Sequence, residues 1–193
     1  MGNVIGVLAL QGDFREHKKA LQALGVEAVE VRRPEHLKGL KGLIVPGGES
    51  TTIGKLAREY GLEEAVRKRV EEGSLALFGT CAGAIWLSKE VLGYPDQPRL
   101  GVLDVAVERN AFGRQVESFE EDIPVRGLES PFHAVFIRAP LFARLGEEVE
   151  VLAEYAGRPV FVQEGRVLAA SFHPELTPDL RLHRRFVELA QEI

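Results

Sequence analysis

The chain has 193 residues, is 45% hydrophobic, and carries 29 acidic against 24 basic residues for a net charge of −5. That size and apolar content predict one domain over residues 1–193, and no long basic run or aromatic-basic interleaving points to a nucleic-acid groove. A single cysteine excludes an internal disulfide. No apolar stretch approaches the ~20 residues that span a bilayer and no cleavable leader pattern is present, so a cytoplasmic protein without membrane contact is expected.

Residues 4–10 read as a buried strand, 14–24 as an amphipathic helix and 26–31 as a second strand, a βαβ opening. Gly42-Leu43-Ile44-Val45 is a third strand that stops at Pro46-Gly47-Gly48, with Ser50 or Thr51 placed to cap a helix running to about residue 60. A further helix fits residues 62–72, and a strand fits 75–78. These apolar runs are continuous rather than alternating, which implies parallel strands covered on both faces by helices. Ligands on such sheets bind at the carboxyl ends of the strands. Both Pro46-Gly47-Gly48-Glu49 and Gly79-Thr80-Cys81 lie at such ends.

Beyond residue 100 the pattern changes to short strand-like runs at 102–107, 117–125, 135–138, 149–155, 160–163 and 167–172. They read as antiparallel additions. Residues 94–99, with two prolines, read as a surface loop, and the last helix is expected to begin with Thr177 as cap and Pro178 at its first position.

Cys81 follows the apolar run Leu75-Ala76-Leu77-Phe78 inside Gly79-Thr80-Cys81-Ala82-Gly83. A free cysteine in apolar surroundings is commonly inert. The flanking glycines argue otherwise, because they are poor fillers of a strand or helix but suit a crowded strand-to-helix turn that presents a nucleophile. Downstream, Ser171-Phe172 leads into His173-Pro174-Glu175. Residues two apart on an extended segment share a side, so Glu175 is placed to orient His173 as a base. No second cysteine or closely spaced histidine joins them, so neither a metal nor another cofactor is expected. Nucleophile, histidine, acid is also not the α/β-hydrolase order.

The segment Pro46-Gly47-Gly48-Glu49-Ser50-Thr51 resembles an anion cradle but fails the P-loop spacing, since Lys55 is followed by Leu56. An oxyanion hole made by the Gly48 and Ala82 amides fits better. Arg109, Arg138 and Glu49 supply the opposite charges that a zwitterionic amino acid needs. His17 reads as a surface helix residue, and His36, His133 and His183 have no evident acid partner.

Gly79-Thr80-Cys81-Ala82-Gly83 with Ser171-Phe172-His173-Pro174-Glu175 resembles the class I, or triad, glutamine amidotransferases. Leu10-Gln11-Gly12, Pro46-Gly47-Gly48-Glu49-Ser50-Thr51-Thr52, Val107-Glu108-Arg109-Asn110, Phe112-Gly113-Arg114-Gln115 and Phe136-Ile137-Arg138-Ala139-Pro140 narrow this to the glutaminase subunits of pyridoxal 5′-phosphate synthases. The resemblance implies a flavodoxin-like three-layer α/β sandwich with a mostly parallel central sheet and antiparallel additions in the C-terminal half. It implies hydrolysis of L-glutamine by Cys81, His173 and Glu175, with ammonia passed to a synthase subunit of a large ring assembly. By position, Gly48, Glu49, Ser50, Arg109, Ile137 and Arg138 match glutamine-contacting residues, and Gln11 matches the partner interface. A triad glutaminase serving another acceptor, or a non-catalytic binding subunit of the same fold, are the rival readings.

Overall fold

A computed structural model describes residues 4–112 and 118–193. Glu117, the first residue of one expected strand, lies outside the described residues, as do Gly113, Arg114 and Gln115.

A seven-stranded sheet organises the molecule, in the order β10-β11-β12-β4-β3-β1-β2. β1 (Val4–Leu8), β2 (Glu27–Val31), β3 (Gly42–Val45), β4 (Ala76–Thr80) and β12 (Val167–Ala170) run parallel, and β10 (Glu150–Tyr155) and β11 (Arg158–Glu164) extend one edge antiparallel. β3, β4 and β12 are buried at every position, as the uninterrupted apolar runs require. Their side chains alternate between two cores. Leu43, Val45 and Leu77 enter one with α2 (Ser50–Glu59), α3 (Leu62–Glu71) and α4 (Ala82–Leu87). Ile44, Ala76 and Phe78 enter the other with α1 (Phe14–Ala23) and α5 (Arg181–Gln191).

Two small sheets complete the C-terminal half. β5 (Ser88–Val91), β6 (Leu103–Glu108) and β9 (Leu141–Leu145) form one, with β5 parallel and β9 antiparallel to β6. β7 (Ser118–Ile123) and β8 (Phe132–Ile137) form an antiparallel pair. Its inner face carries Phe119 stacked on Phe136 at 4.6 Å, with Phe112 and Tyr155 closing the aromatic cluster.

Several expectations need correction. β5 and β9 are not among the expected strands: both are short, and their charged residues Lys89, Glu90 and Arg144 hide the apolar signal. The run at 167–172 is not an antiparallel addition, because β12 pairs parallel with β4 inside the main sheet. The α2 cap is Glu49, whose carboxylate accepts from the Thr51 and Thr52 amides, and not Ser50 or Thr51. The last helix begins at Arg181; its amide donates to Asp179 Oδ1, and Thr177 follows a 3-10 turn at Pro174–Leu176.

Chain order reverses between β1 and β3, since β1 leads to β2 on one side and, through β3, to β4 and β12 on the other. The carboxyl ends at such a switch point form a crevice. Gln11–Asp13, Pro46–Glu49, Cys81 and His173 all follow those ends.

Candidate active site

A cavity of about 650 Å³ opens over this crevice, lined among others by Gly48, Glu49, Ser50, Cys81, Ala82, Arg109, Ile137, Arg138 and His173. Gln11 stands just behind it: its Oε1 accepts from the Glu49 amide at 2.7 Å. Glu175 is buried beneath His173. Every residue singled out in the sequence therefore converges on one place.

Cys81 occupies a strained backbone position, φ 50° and ψ −110°, between β4 and α4. Such a conformation costs a non-glycine residue roughly 1–3 kcal/mol and survives only where its surroundings fix it. Here the Cys81 amide donates to Ala170 O at 2.8 Å and its carbonyl accepts from the Ile85 amide at 3.2 Å. The flanking glycines are needed for close approach: a Cβ on Gly83 would overlap the Val45 carbonyl oxygen, and one on Gly79 would lie 2.9 Å from the Gly83 backbone. The sulfur faces the cavity and lies 3.6 Å from the Ile137 carbonyl oxygen.

His173 Nδ1 meets Glu175 Oε2 at 2.7 Å. It also lies 3.4 Å from Asp13 Oδ2. Burial by itself lowers the imidazole pKa, but hydrogen bonds to Asp13, Cys81 and Glu175 outweigh it and push the ring up to about 12. Burial pushes the Glu175 carboxyl up, while the adjacent His173 pulls it back. The site thus favours an imidazolium beside the sulfur. Asp13, His173 and Glu175 offer three potential metal-ligand atoms within 4.8 Å of one another. Both carboxylates, however, converge on a single ring nitrogen at hydrogen-bonding distance, which leaves no room for an ion between them.

Gly47 separates the triad from the glycine loop, and a Cβ there would lie 2.6 Å from His173 Cε1 and 3.3 Å from Cys81 Cβ. Its carbonyl accepts from the Asp13 amide at 3.0 Å. A Cβ on Gly48 would overlap Gln11 Oε1. The Ala82 amide is the first of α4, where helical N–H groups lack intrahelical partners and are available to an anion.

Arg109 donates to Gln97 Oε1 at 3.0 Å and stacks over the Tyr94 ring at 4.2 Å. Gln97 in turn donates to Ser50 Oγ at 2.9 Å and is buried. The expected surface loop therefore packs against the site and holds one of its cations. Arg138 lines the opposite part of the cavity at a φ of 47°. The Glu49 carboxylate is engaged as a cap, with the Thr52 amide at 2.8 Å.

The sequence alone does not single out Asp13, Gln97, Tyr94 or Asn110. Asp13 sits at an ordinary N-cap position of α1, yet its side chain makes no cap bond and turns to His173. Two histidine readings also change. His17 is not on the surface but fully buried, with Nδ1 2.9 Å from His183 Nε2. His133 does have acid partners, Asp122 and Glu120, each at 2.7 Å on an exposed strand pair.

A family model described as the SNO glutamine amidotransferase family matches residues 7–192. The chain is 77% identical over 190 residues to the pyridoxal 5′-phosphate synthase subunit PdxT of Thermus thermophilus, covering 98% of this chain and 99% of that protein. It is 59% identical to the PdxT subunit of Pelotomaculum thermopropionicum, covering 95% and 93%. A crystal structure of a glutamine amidotransferase superposes with a TM-score of 0.95 at 76% identity, covering 97% of this chain and 98% of the other. A more distant GMP synthase subunit from Thermoplasma acidophilum shares the fold, with a TM-score of 0.68 at 20% identity over 98% and 94% of the two chains. No helix among the described residues is long and apolar enough to cross a membrane. By the span of the family match, the near-complete cover of its relatives and the shared fold, the chain belongs to the SNO glutamine amidotransferase family.

Proposed function

We propose that this chain is a single cytoplasmic glutaminase domain that hydrolyses L-glutamine to glutamate and ammonia and hands the ammonia to a pyridoxal 5′-phosphate synthase subunit. The observation that carries the reading is the 2.7 Å bond from Glu175 to His173, set beside Cys81 in a cavity that also holds Arg109 and Arg138. The relatives named as PdxT subunits supply the acceptor.

The chemistry is acyl transfer. The Cys81 sulfur attacks the side-chain amide carbon, and the Gly48 and Ala82 amides receive the developing oxyanion. His173 gives its proton to the departing nitrogen, so that the C–N bond breaks and ammonia leaves with a glutamyl thioester behind. The neutral imidazole then takes a proton from water as hydroxide adds to the thioester carbonyl. Breaking of the C–S bond releases glutamate, and the proton returns the site to its starting state. Glu175 holds the tautomer and stabilises the imidazolium throughout.

Arg109 and Arg138 fit the substrate carboxylate, while Glu49, Ser50 and Ile137 line the side where its ammonium and backbone lie. Ammonia is useful to an acceptor only before bulk water protonates it, which favours direct docking on the synthase. In the family that synthase is a large ring. Gln11 supports a link between docking and the site, because its side chain holds the Glu49 amide and packs on Gly48. A partner that moves Gln11 frees the Gly47-Gly48 peptide to turn an amide into the oxyanion hole.

The test is co-purification with the synthase subunit followed by glutamine-dependent formation of pyridoxal phosphate. Cys81→Ala should abolish ammonia release while leaving fold and docking intact. Ammonia release without pyridoxal phosphate would indicate another acceptor, and docking without any glutamine hydrolysis by the unaltered chain would indicate a binding subunit.

A further inference from the structure

Behind the triad lies a buried polar chain that the chemistry above does not use. His17, Thr80 and His183 are each 0% exposed and come from three elements, α1, the end of β4 and α5. His17 Nδ1 lies 2.9 Å from His183 Nε2, and His17 Nε2 lies 3.2 Å from Thr80 Oγ1. The same Nε2 is 3.6 Å from Glu175 Oε1. That carboxylate oxygen is buried without a hydrogen-bond partner among the described residues, and so is His183 Nδ1.

The two orphaned atoms settle where the protons sit. A buried N–H without a partner is rarer than a buried acceptor without one, so His183 carries its proton on Nε2 and donates to His17 Nδ1. With Nδ1 accepting, the His17 proton must be on Nε2. It therefore faces Thr80 Oγ1 and Glu175 Oε1. Burial holds His17 well below the usual histidine range and His183 at about 4, so each ring carries one proton near neutral pH.

We infer that His17 is a positioning residue for the triad, its Nε2–H fixed by His183 and directed at Glu175 Oε1 so that the carboxylate stays ionised and aligned on His173. The inference rests on the Cys81, His173 and Glu175 reading proposed above. Its physical basis is that Glu175 is almost wholly removed from water, where the charged form is disfavoured unless dipoles or charges face it. The groups that do so are few. His173 faces Oε2, the Asp13 carboxyl approaches from the start of α1, and His17 faces Oε1 from the next turn. β4 adds only the neutral Thr80 hydroxyl, and α5 adds only His183 behind His17. Without the His17 N–H, Glu175 holds a proton to higher pH. A protonated Glu175 cannot support the imidazolium.

The test compares His17→Leu with His17→Gln in the complex with the synthase subunit, following glutamine-dependent ammonia release across pH. Leucine removes the donor, whereas glutamine returns an N–H near the Nε2 position. The Leu variant should lose about tenfold or more in kcat at neutral pH with KM nearly unchanged, and its acid limb should move up by about one pH unit. The Gln variant should recover most of both. An acid limb that stays in place in a folded Leu variant, or equal losses in both variants without a shift, would mark a packing role and overturn the inference. Should the Leu variant not fold, His183→Leu reads the same limb, because it removes the group that fixes the His17 tautomer; no shift there also overturns it. Cys81→Ala separates the two levels. Activity surviving that change defeats the triad reading itself, whereas a dead Cys81→Ala beside unmoved His17 variants defeats only the role of His17.

Discussion

Asp13 and His173 stand 3.4 Å apart across the mouth of the crevice, so one imidazole nitrogen, already bonded to Glu175, faces a second carboxylate. Asp13 is part-exposed and held below its usual carboxylate value chiefly by its hydrogen bond to His173. It therefore stays ionised and adds to the forces that keep His173 protonated. Asp13→Asn should lower the His173 pKa, bringing the alkaline limb of glutamine hydrolysis down by ~1 pH unit while the rate near neutrality changes little. A pH profile of ammonia release in the synthase complex checks this, and an unmoved alkaline limb would remove Asp13 from the site.

Gln97 joins Ser50 to Arg109 through two hydrogen bonds, and Tyr94 supports the guanidinium face. A hydrogen bond to a charged group is worth about 1.5–3 kcal/mol, so an arginine released from Gln97 loses much of its aim. Gln97→Ala should raise the KM for glutamine roughly tenfold and leave kcat nearly intact, because the group acts on binding and not on the reacting carbon. Steady-state kinetics with glutamine decide it. Equal falls in kcat and kcat/KM would place the chain of bonds in the chemical step instead.

The fold was largely legible because its central strands are buried on both faces, and a continuous apolar run such as Gly42-Leu43-Ile44-Val45 reports that directly. The small sheets were less so: β9 buries only Leu141 and Phe142, too short a signal to distinguish from a loop. At the site, Cys81, His173 and Glu175 were visible because each sits at the end of such a run. Asp13 and His17 were not, since Asp13 resembles any helix cap and His17 stands among Arg15, Glu16, Lys18 and Lys19. Their role depends on which face of α1 turns inward, and only packing against α5 and the end of β4 decides that. Gln97 was hidden for a similar reason, as a polar residue between prolines reads as solvent-exposed until the loop is seen against α2.

Gly83 and Gly48 are both tight, but against different neighbours. A Cβ on Gly83 would overlap the Val45 carbonyl oxygen and lie 3.0 Å from that of Pro46, and backbone at the end of a buried strand has nowhere to move. Gly83→Ala should lower stability by about 3 kcal/mol, the upper range for overpacking, which a thermal melt would show as a clear fall in Tm. A Cβ on Gly48 meets the end of the Gln11 side chain, which can swing away at the loss of its bond to the Glu49 amide. Gly48→Ala should thus keep most of the melting temperature and lose most of the glutamine hydrolysis.

His17 and His183 also set how stability depends on pH. Both are neutral in the folded chain because burial disfavours their charged forms, with His183 held at about 4 against an ordinary value of 6.5. As pH falls below 6.5 the unfolded chain takes up these protons first, so the stability present above that value is lost progressively toward pH 4. For His183 alone the loss by pH 4 is about 3 kcal/mol, at about 1.4 kcal/mol for each pH unit. His173 does not obscure this. Its pKa is raised, so its contribution is complete below 6.5 and is lost only as pH rises toward 12. Asp13, Glu49, Glu63 and Asp179 are held low, and their contributions fade only below their ordinary values of 3.8 and 4.5. Glu175 is raised and acts with the opposite sign, offsetting part of one histidine. Urea unfolding between pH 7 and 5 should therefore show stability falling with pH, and His183→Leu should flatten that slope even though it lowers stability at pH 7. A slope unchanged by His183→Leu would mean that the buried histidine pair is not what the unfolded chain protonates first.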